Sequence, residues 1–157
     1  MSWLYDNYIY RLSSADPYHT IDLPKDLEWE DESIWSPVEQ SLEYSLTGAL
    51  LIQTGIKLHG RTITLVGKDD MGWITRPDFD KLMTMRNIPD LEMTFEFIKR
   101  EFISDVYVYS APLFQHTVNF NHAEGALNLE SIKRWDNYEP DGWFKIRFIR
   151  LIEVEPV

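Results

Sequence analysis

The chain has no cysteine. That single absence removes disulfide frameworks, thiolate zinc sites and cysteine nucleophiles. It fits synthesis in a reducing cytoplasm. No apolar run exceeds a few residues, so no segment predicts a membrane-spanning helix. The opening Met1-Ser2-Trp3-Leu4-Tyr5-Asp6 has neither the basic nor the apolar region of a signal peptide. Positive charge is scarce: 15 Lys and Arg stand against 26 Asp and Glu, a net charge of −11 at pH 7, and no basic cluster occurs. A duplex or an anionic membrane repels such a surface, so neither direct nucleic-acid binding nor membrane insertion is expected. Glycine is thin as well, seven residues spread one at a time. There is accordingly no GxGxxG or GxxxxGK[ST] phosphate cradle, and neither GxSxG nor HExxH is found.

What remains is a chain of 157 residues, 44% apolar and 26% charged, which suits one globular domain with a real core. Aromatics reach 14%, a richness that favours strands and interfaces.

Residues 1–40 differ from the rest. Nine acids (Asp6, Asp16, Asp22, Asp26, Glu28, Glu30, Asp31, Glu32 and Glu39) face only Arg11 and Lys25, so about −7 of the net charge sits there. Pro17, Pro24 and Pro37 interrupt the segment, and no sustained period runs through it. This pattern predicts an extended acidic arm over residues 1–40, leading into a β-rich globular domain over 41–157. The arm's Trp3, Trp29 and Trp35 are its interface candidates, docking either on their own domain or on a neighbouring subunit.

From residue 42 the signal is period two, one face buried and one wet. Leu42, Tyr44 and Leu46 alternate with polar residues, and the phase resumes at Leu50, Ile52 and Thr54 after a bend at Gly48. Arg61–Val66 is the next strand, followed by a turn-rich loop over 67–72. Thr75 as N-cap, Pro77 in the first turn and Asp78 in the capping-box slot predict one helix over about 75–86, with Phe79, Leu82 and Met83 as its apolar stripe. Strands resume at Met93–Phe97, Val106–Tyr109, His116–Phe120 and Phe144–Phe148, the last with a slip near Ile149 that predicts a bulge. The expected class is α+β, mainly β: an antiparallel sandwich or partly closed barrel with one short helix.

Candidate chemistry is sparse. His116 and His122 share a face if their strand is regular, but Glu124 is the one nearby acid and a metal needs more ligands. Asp69-Asp70 lacks the spaced oxygens of a calcium loop. The run Glu28, Glu30, Asp31, Glu32 reads most simply as solvated. Trp135, Tyr138, Trp143 and Phe144 suggest an aromatic platform, against which the alternation places Trp143 and Phe144 at the start of a core strand. No catalytic, cofactor-binding or metal residue is assigned, and no enzyme is expected.

Four segments in order carry a resemblance. They are Gly60-Arg61-Thr62-Ile63-Thr64-Leu65-Val66-Gly67; Trp73 with Thr75-Arg76-Pro77-Asp78-Phe79-Asp80-Lys81-Leu82; His116-Thr117-Val118-Asn119-Phe120-Asn121-His122; and Pro140-Asp141-Gly142-Trp143-Phe144. The pattern resembles small structural proteins of the distal tail or baseplate (the tail tip) in long-tailed bacteriophages. It covers about residues 42–154 and leaves both the acidic arm and the insertion-like Ile98–Ile103 unmatched. The resemblance implies a non-enzymatic virion component, made in the bacterial host cytoplasm and located in the tail. It would assemble with copies of itself in a ring and with other tail proteins, without a cofactor. Two other classes draw on the same composition: a small acidic inhibitor that mimics DNA as a counter-defence protein, and a carbohydrate-binding β-sandwich.

Overall fold

The computed structural model describes residues 7–132 and 142–155. In chain order its elements are β1 (Tyr8–Ala15), β2 (Tyr18–Asp22), β3 (Glu28–Trp29), β4 (Val38–Tyr44), β5 (Leu50–Ile56), β6 (Thr62–Val66) and β7 (Trp73–Thr75). They continue with α1 (Arg76–Arg86), β8 (Met93–Ile103), β9 (Val106–Tyr109), β10 (Phe114–Phe120), β11 (Leu127–Ser131) and β12 (Trp143–Glu153). The class is α+β and mainly β. Ten strands form one antiparallel sheet along the path β2-β1-β8-β10-β12-β6-β3, with β7 and β11 added to β12 and β9 to β8; β4 and β5 form a separate two-stranded ribbon.

The sheet curls without closing into a barrel. Trp29 on β3, at one end of the path, meets Phe95 on β8 edge-on at 5.7 Å and Phe114 on β10 at 5.5 Å. Strands that are not neighbours in the sheet therefore share one core. Its rows follow the register: Ile21 opposite Leu12, Leu12 opposite Phe95, Leu151 opposite Ile63, and Leu65 opposite Trp29. All of these side chains are buried.

The N-terminal segment corrects the expected domain layout. Of residues 1–40, Tyr8–Asp22 supplies two strands of the main sheet, and Leu12, Ile21, Leu23, Leu27 and Trp29 belong to the common core. Pro17 lies in the β1–β2 turn and Pro24 just beyond β2. The prolines punctuate strands here, as they do wherever a chain must leave a sheet. Residues 8–29 are thus part of the globular domain and not an arm.

The helix stands where the caps place it. Thr75 is extended at the N-cap, although its side chain makes no capping hydrogen bond. Leu82 and Met85 are its buried residues, and Phe79 stacks on Phe144 of β12 at 4.0 Å. The slip in β12 is also real. Core residues run Phe144, Ile146, then Ile149, Leu151, and the register against β11 shifts between Asn128 and Leu129. Ile98–Ile103 continues β8, which turns back into β9.

Candidate functional site

Among the described residues, two stretches gather several large apolar side chains that are left uncovered. The first is the β4–β5 ribbon. Its register pairs Val38 with Ile56, Leu42 with Ile52, and Tyr44 with Leu50. Side chains alternate across a strand and directly opposite residues share a face. One face of the ribbon therefore carries these six, interrupted by the Gln40–Thr54 pair, in which the Gln40 amide donates to the Thr54 hydroxyl at 3.4 Å. The other face carries Glu39, Ser41, Glu43, Leu51 and Gln53. Every residue of both strands is exposed, Tyr44 at 76% and Ile56 at 73%. The ribbon therefore has the alternation of a half-buried strand, yet the described residues bury neither face. Leu46 extends the apolar surface into the turn, where Gly48 at φ 84° and the Ser45 N–H to Ala49 carbonyl bond reverse the chain.

The ribbon is held firmly at its root. Asp31 accepts from the Trp29 indole N–H at 3.0 Å, from the Thr64 backbone N–H at 2.8 Å and from the Thr64 hydroxyl at 2.9 Å. The Arg61 guanidinium lies over the Trp29 ring at 4.7 Å and donates to the Glu32 carbonyl at 2.8 Å. The Lys57 N–H then donates to the Pro37 carbonyl at 2.7 Å, closing the neck. Asp31 is thus a structural anchor within the acidic run that reads as solvated. Glu28 of the same run pairs with Lys68 at 2.9 Å.

The second surface is the β8–β9 tip. Phe102, Ile103, Val106, Tyr107 and Val108 are all 45% exposed or more; Phe102 and Tyr107 share one face of the hairpin, their rings 5.0 Å apart, and Ile103, Val106 and Val108 share the other. The base of this hairpin is tied down by a polar ladder across the sheet: Asp22, Arg11, Glu96 and Gln115 stand opposite one another in turn. Arg100 and the Tyr109 hydroxyl both donate to Asp22, at 3.1 and 2.6 Å, and Gln115 donates to Glu96 at 2.8 Å. Burial, with the Asp22 hydrogen bond behind it, pushes the Tyr109 phenol above its ordinary range. Burial likewise raises Asp78, which lines the same hollow of about 310 Å³ with Lys81. Asp22 is the carboxylate matched there, by Arg11, Arg100 and the Tyr109 phenol.

The other sequence candidates fall out as follows. Trp29 is core, 8% exposed, and is not available as an interface anchor in the folded chain. Trp35 is half-buried beside the ribbon neck, with the Lys57 ammonium 5.9 Å from its ring. Trp3 lies outside the described residues, as do Trp135 and Tyr138. Phe144 is buried, as its alternation predicts, and Trp143 leans on Trp73 at 5.8 Å. His116 bonds Glu153 at 2.6 Å and packs on Phe114, while His122 falls in a 3-10 turn beyond the end of β10. Among the described residues no three His, Cys, Asp or Glu side chains gather as a metal site. A shallow concavity of about 760 Å³ beside β12 is lined by Lys68, Glu130, Lys145 and Arg147, but Arg147 already pairs with Glu130 at 2.6 Å.

Comparison with protein-family models, curated proteins and solved structures gives no match.

Proposed function

We propose that this chain is a structural, non-enzymatic component of the virion in a long-tailed bacteriophage. It is built into the tail end by protein–protein contacts, with copies placed around the tail axis. The observation that carries this is the uncovered apolar face of the β4–β5 ribbon. Soluble monomers rarely keep a contiguous apolar patch of that size in water, and a lone two-stranded hairpin is marginal without something to pack on. A ribbon clamped at its root and bare along its length is suited to reaching a neighbour. The resemblance supports the particular assembly; its described residues fall in β6, β7, α1, β10 and the start of β12. The net charge of −11 suits a part that lies near DNA without gripping phosphate. Mass spectrometry of purified particles, with imaging of their tails, tests the proposal. The protein is expected in the tail fraction; its absence from virions that contain every other tail protein overturns the reading.

A further inference from the structure

We infer that the apolar ribbon face is a self-association surface, the β4–β5 ribbons of two copies packing face to face about a two-fold axis. This deepens the assembly reading and rests on it. Three observations select a second copy as the occupant. First, the face carries no charged side chain, since Glu39 and Glu43 lie on the other one. A partner chosen for opposite charge needs carboxylates to meet; a copy of the same −11 chain needs a face without them. Second, Val38, Leu42, Tyr44, Leu50, Ile52 and Ile56 are 47% to 76% exposed. Together they offer on the order of 700 Å² per copy, close to the roughly 800 Å² that each partner contributes to a standard interface. Third, the face is complementary to itself when the two ribbons run in opposite directions.

That complementarity follows from the register. From neck to turn the rows are Val38–Ile56, Gln40–Thr54, Leu42–Ile52 and Tyr44–Leu50, with Leu46 beyond them in the turn. A two-fold axis lying between the two faces, across the strands at the Leu42–Ile52 row, sets Leu42 on Leu42 of the second copy and Ile52 on Ile52. Tyr44 then stands over the second copy's Gln40, Leu50 over its Thr54, and each turn reaches the other's neck. Gln40, Thr54 and Tyr44 carry the polar atoms of these rows. The Tyr44 hydroxyl thus arrives at the Gln40 amide, and the polar pair is not left against hydrocarbon alone. Glu39 and Glu43 stay in water on the outer faces. Two bare ribbons become a four-stranded sandwich in which each is the lid of the other. Running the ribbons in opposite directions also holds the two acidic domains apart, whereas a parallel stack sets them side by side. Such a contact is isologous and closes at two copies, so the dimer is the unit that enters the tail end.

The test uses the full chain in light scattering over a wide range of concentration. The wild type is expected as a dimer and nothing larger. Leu42→Asp brings two carboxylates together at the axis and should weaken dimerisation by about 100-fold or more. Ser41→Asp adds the same charge to the other face and should dimerise as the wild type does. Both positions are exposed, so both variants should keep the circular dichroism of the wild type. Because the chain has no cysteine, a nitroxide on the Thr47→Cys variant reports the direction of the ribbons. Opposite directions put the two turns on the order of 25 Å apart, four rows of about 6.6 Å each. Turns about 10 Å apart, the spacing of two packed sheets, would show a parallel stack and overturn the inference. A wild type that is monomeric throughout, a wild type that grows beyond two copies, or a Leu42→Asp variant that dimerises as tightly also overturns it. If a monomeric protein is still found in particles, the tail-end function stands without this contact; a dimer that never enters particles leaves the contact and removes that function.

Discussion

Asp31 takes hold of Thr64 by both of its donors, the backbone N–H at 2.8 Å and the hydroxyl at 2.9 Å. One carboxylate thereby joins the chain just before the ribbon to the strand just after it, and its first oxygen also receives the Trp29 indole. Asp31→Ala leaves three donors without their acceptor in a partly buried place. The expected loss is about 2–4 kcal/mol, since bonds to a charged acceptor and unpaired buried donors are both costly. Denaturant melts measure it, and an unchanged midpoint refutes the anchoring role. Limited proteolysis should also cut the ribbon neck faster in this variant.

The layout of core and ribbon predicts opposite outcomes for two deletions. Removing residues 1–40 takes Leu12, Ile21, Leu23, Leu27 and Trp29 from the core, and cooperative melting should vanish. Replacing residues 38–56 by a short glycine link should leave the melting midpoint nearly unchanged, because that segment buries almost nothing and Pro37 and Lys57 are already joined at its neck. Calorimetry on the two truncations checks both halves.

Glycine matters at one position and not at another. A Cβ on Gly67 would sit 2.2 Å from the Ile146 carbonyl oxygen, so the loop must shift off β12. A Cβ on Gly55 in the ribbon meets nothing within 4 Å. Gly67→Ala is expected to cost about 2–4 kcal/mol or to prevent folding, a cost typical of overpacking and backbone strain. Gly55→Ala should change stability by less than about 1 kcal/mol. Equal effects from the two, read by thermal melting, would contradict the close approach of the loop to β12.

Phe120 is 5% exposed and lies opposite Leu151. Phe120→Ala should therefore destabilise by about 3–5 kcal/mol. A loss below about 1 kcal/mol in urea melts would place the ring outside the core.

Tyr109 links stability to alkaline pH. Its folded pKa is raised by burial and by its hydrogen bond to Asp22. The folded state thus holds the phenolic proton more tightly than the unfolded state does. That contribution is complete below the unfolded value of about 10 and is lost as pH climbs through the raised folded value. Above about pH 10 the wild type should lose stability more steeply than Tyr109→Phe. Parallel slopes in melts across that range would show that the phenol is not coupled to folding.

Much of the β architecture can be read along the chain. Val118 and Phe120 alternate with Thr117 and Asn119 and are buried as a set. Thr75, Pro77 and Arg86 mark the ends of α1, and the doubled apolar residues near Ile149 mark the bulge in β12. β1 and β2 are illegible for a physical reason. Tyr8-Ile9-Tyr10 is apolar or aromatic at every position, so no period shows, and the flanking prolines and acids imitate an extended tail. Asp22 and Asp31 look solvated in sequence because their partners, Arg100, Tyr109 and Thr64, lie far along the chain.

The sequence by itself determined β4, β5, β6, β9, β10 and the cores of β8 and β12, where α1 starts and stops, and that no thiol or familiar catalytic motif is present. These are local properties, set by side-chain spacing, turn residues and residue type. The tertiary structure alone decided which apolar faces are covered. Leu42, Tyr44, Leu50 and Ile52 alternate as cleanly as the residues of β10, yet they face water while Val118 and Phe120 of β10 are buried. Alternation states only that a strand has two unlike faces; whether the apolar one finds a lid depends on contacts such as Trp29 with Phe95, which form only once the whole sheet has curled.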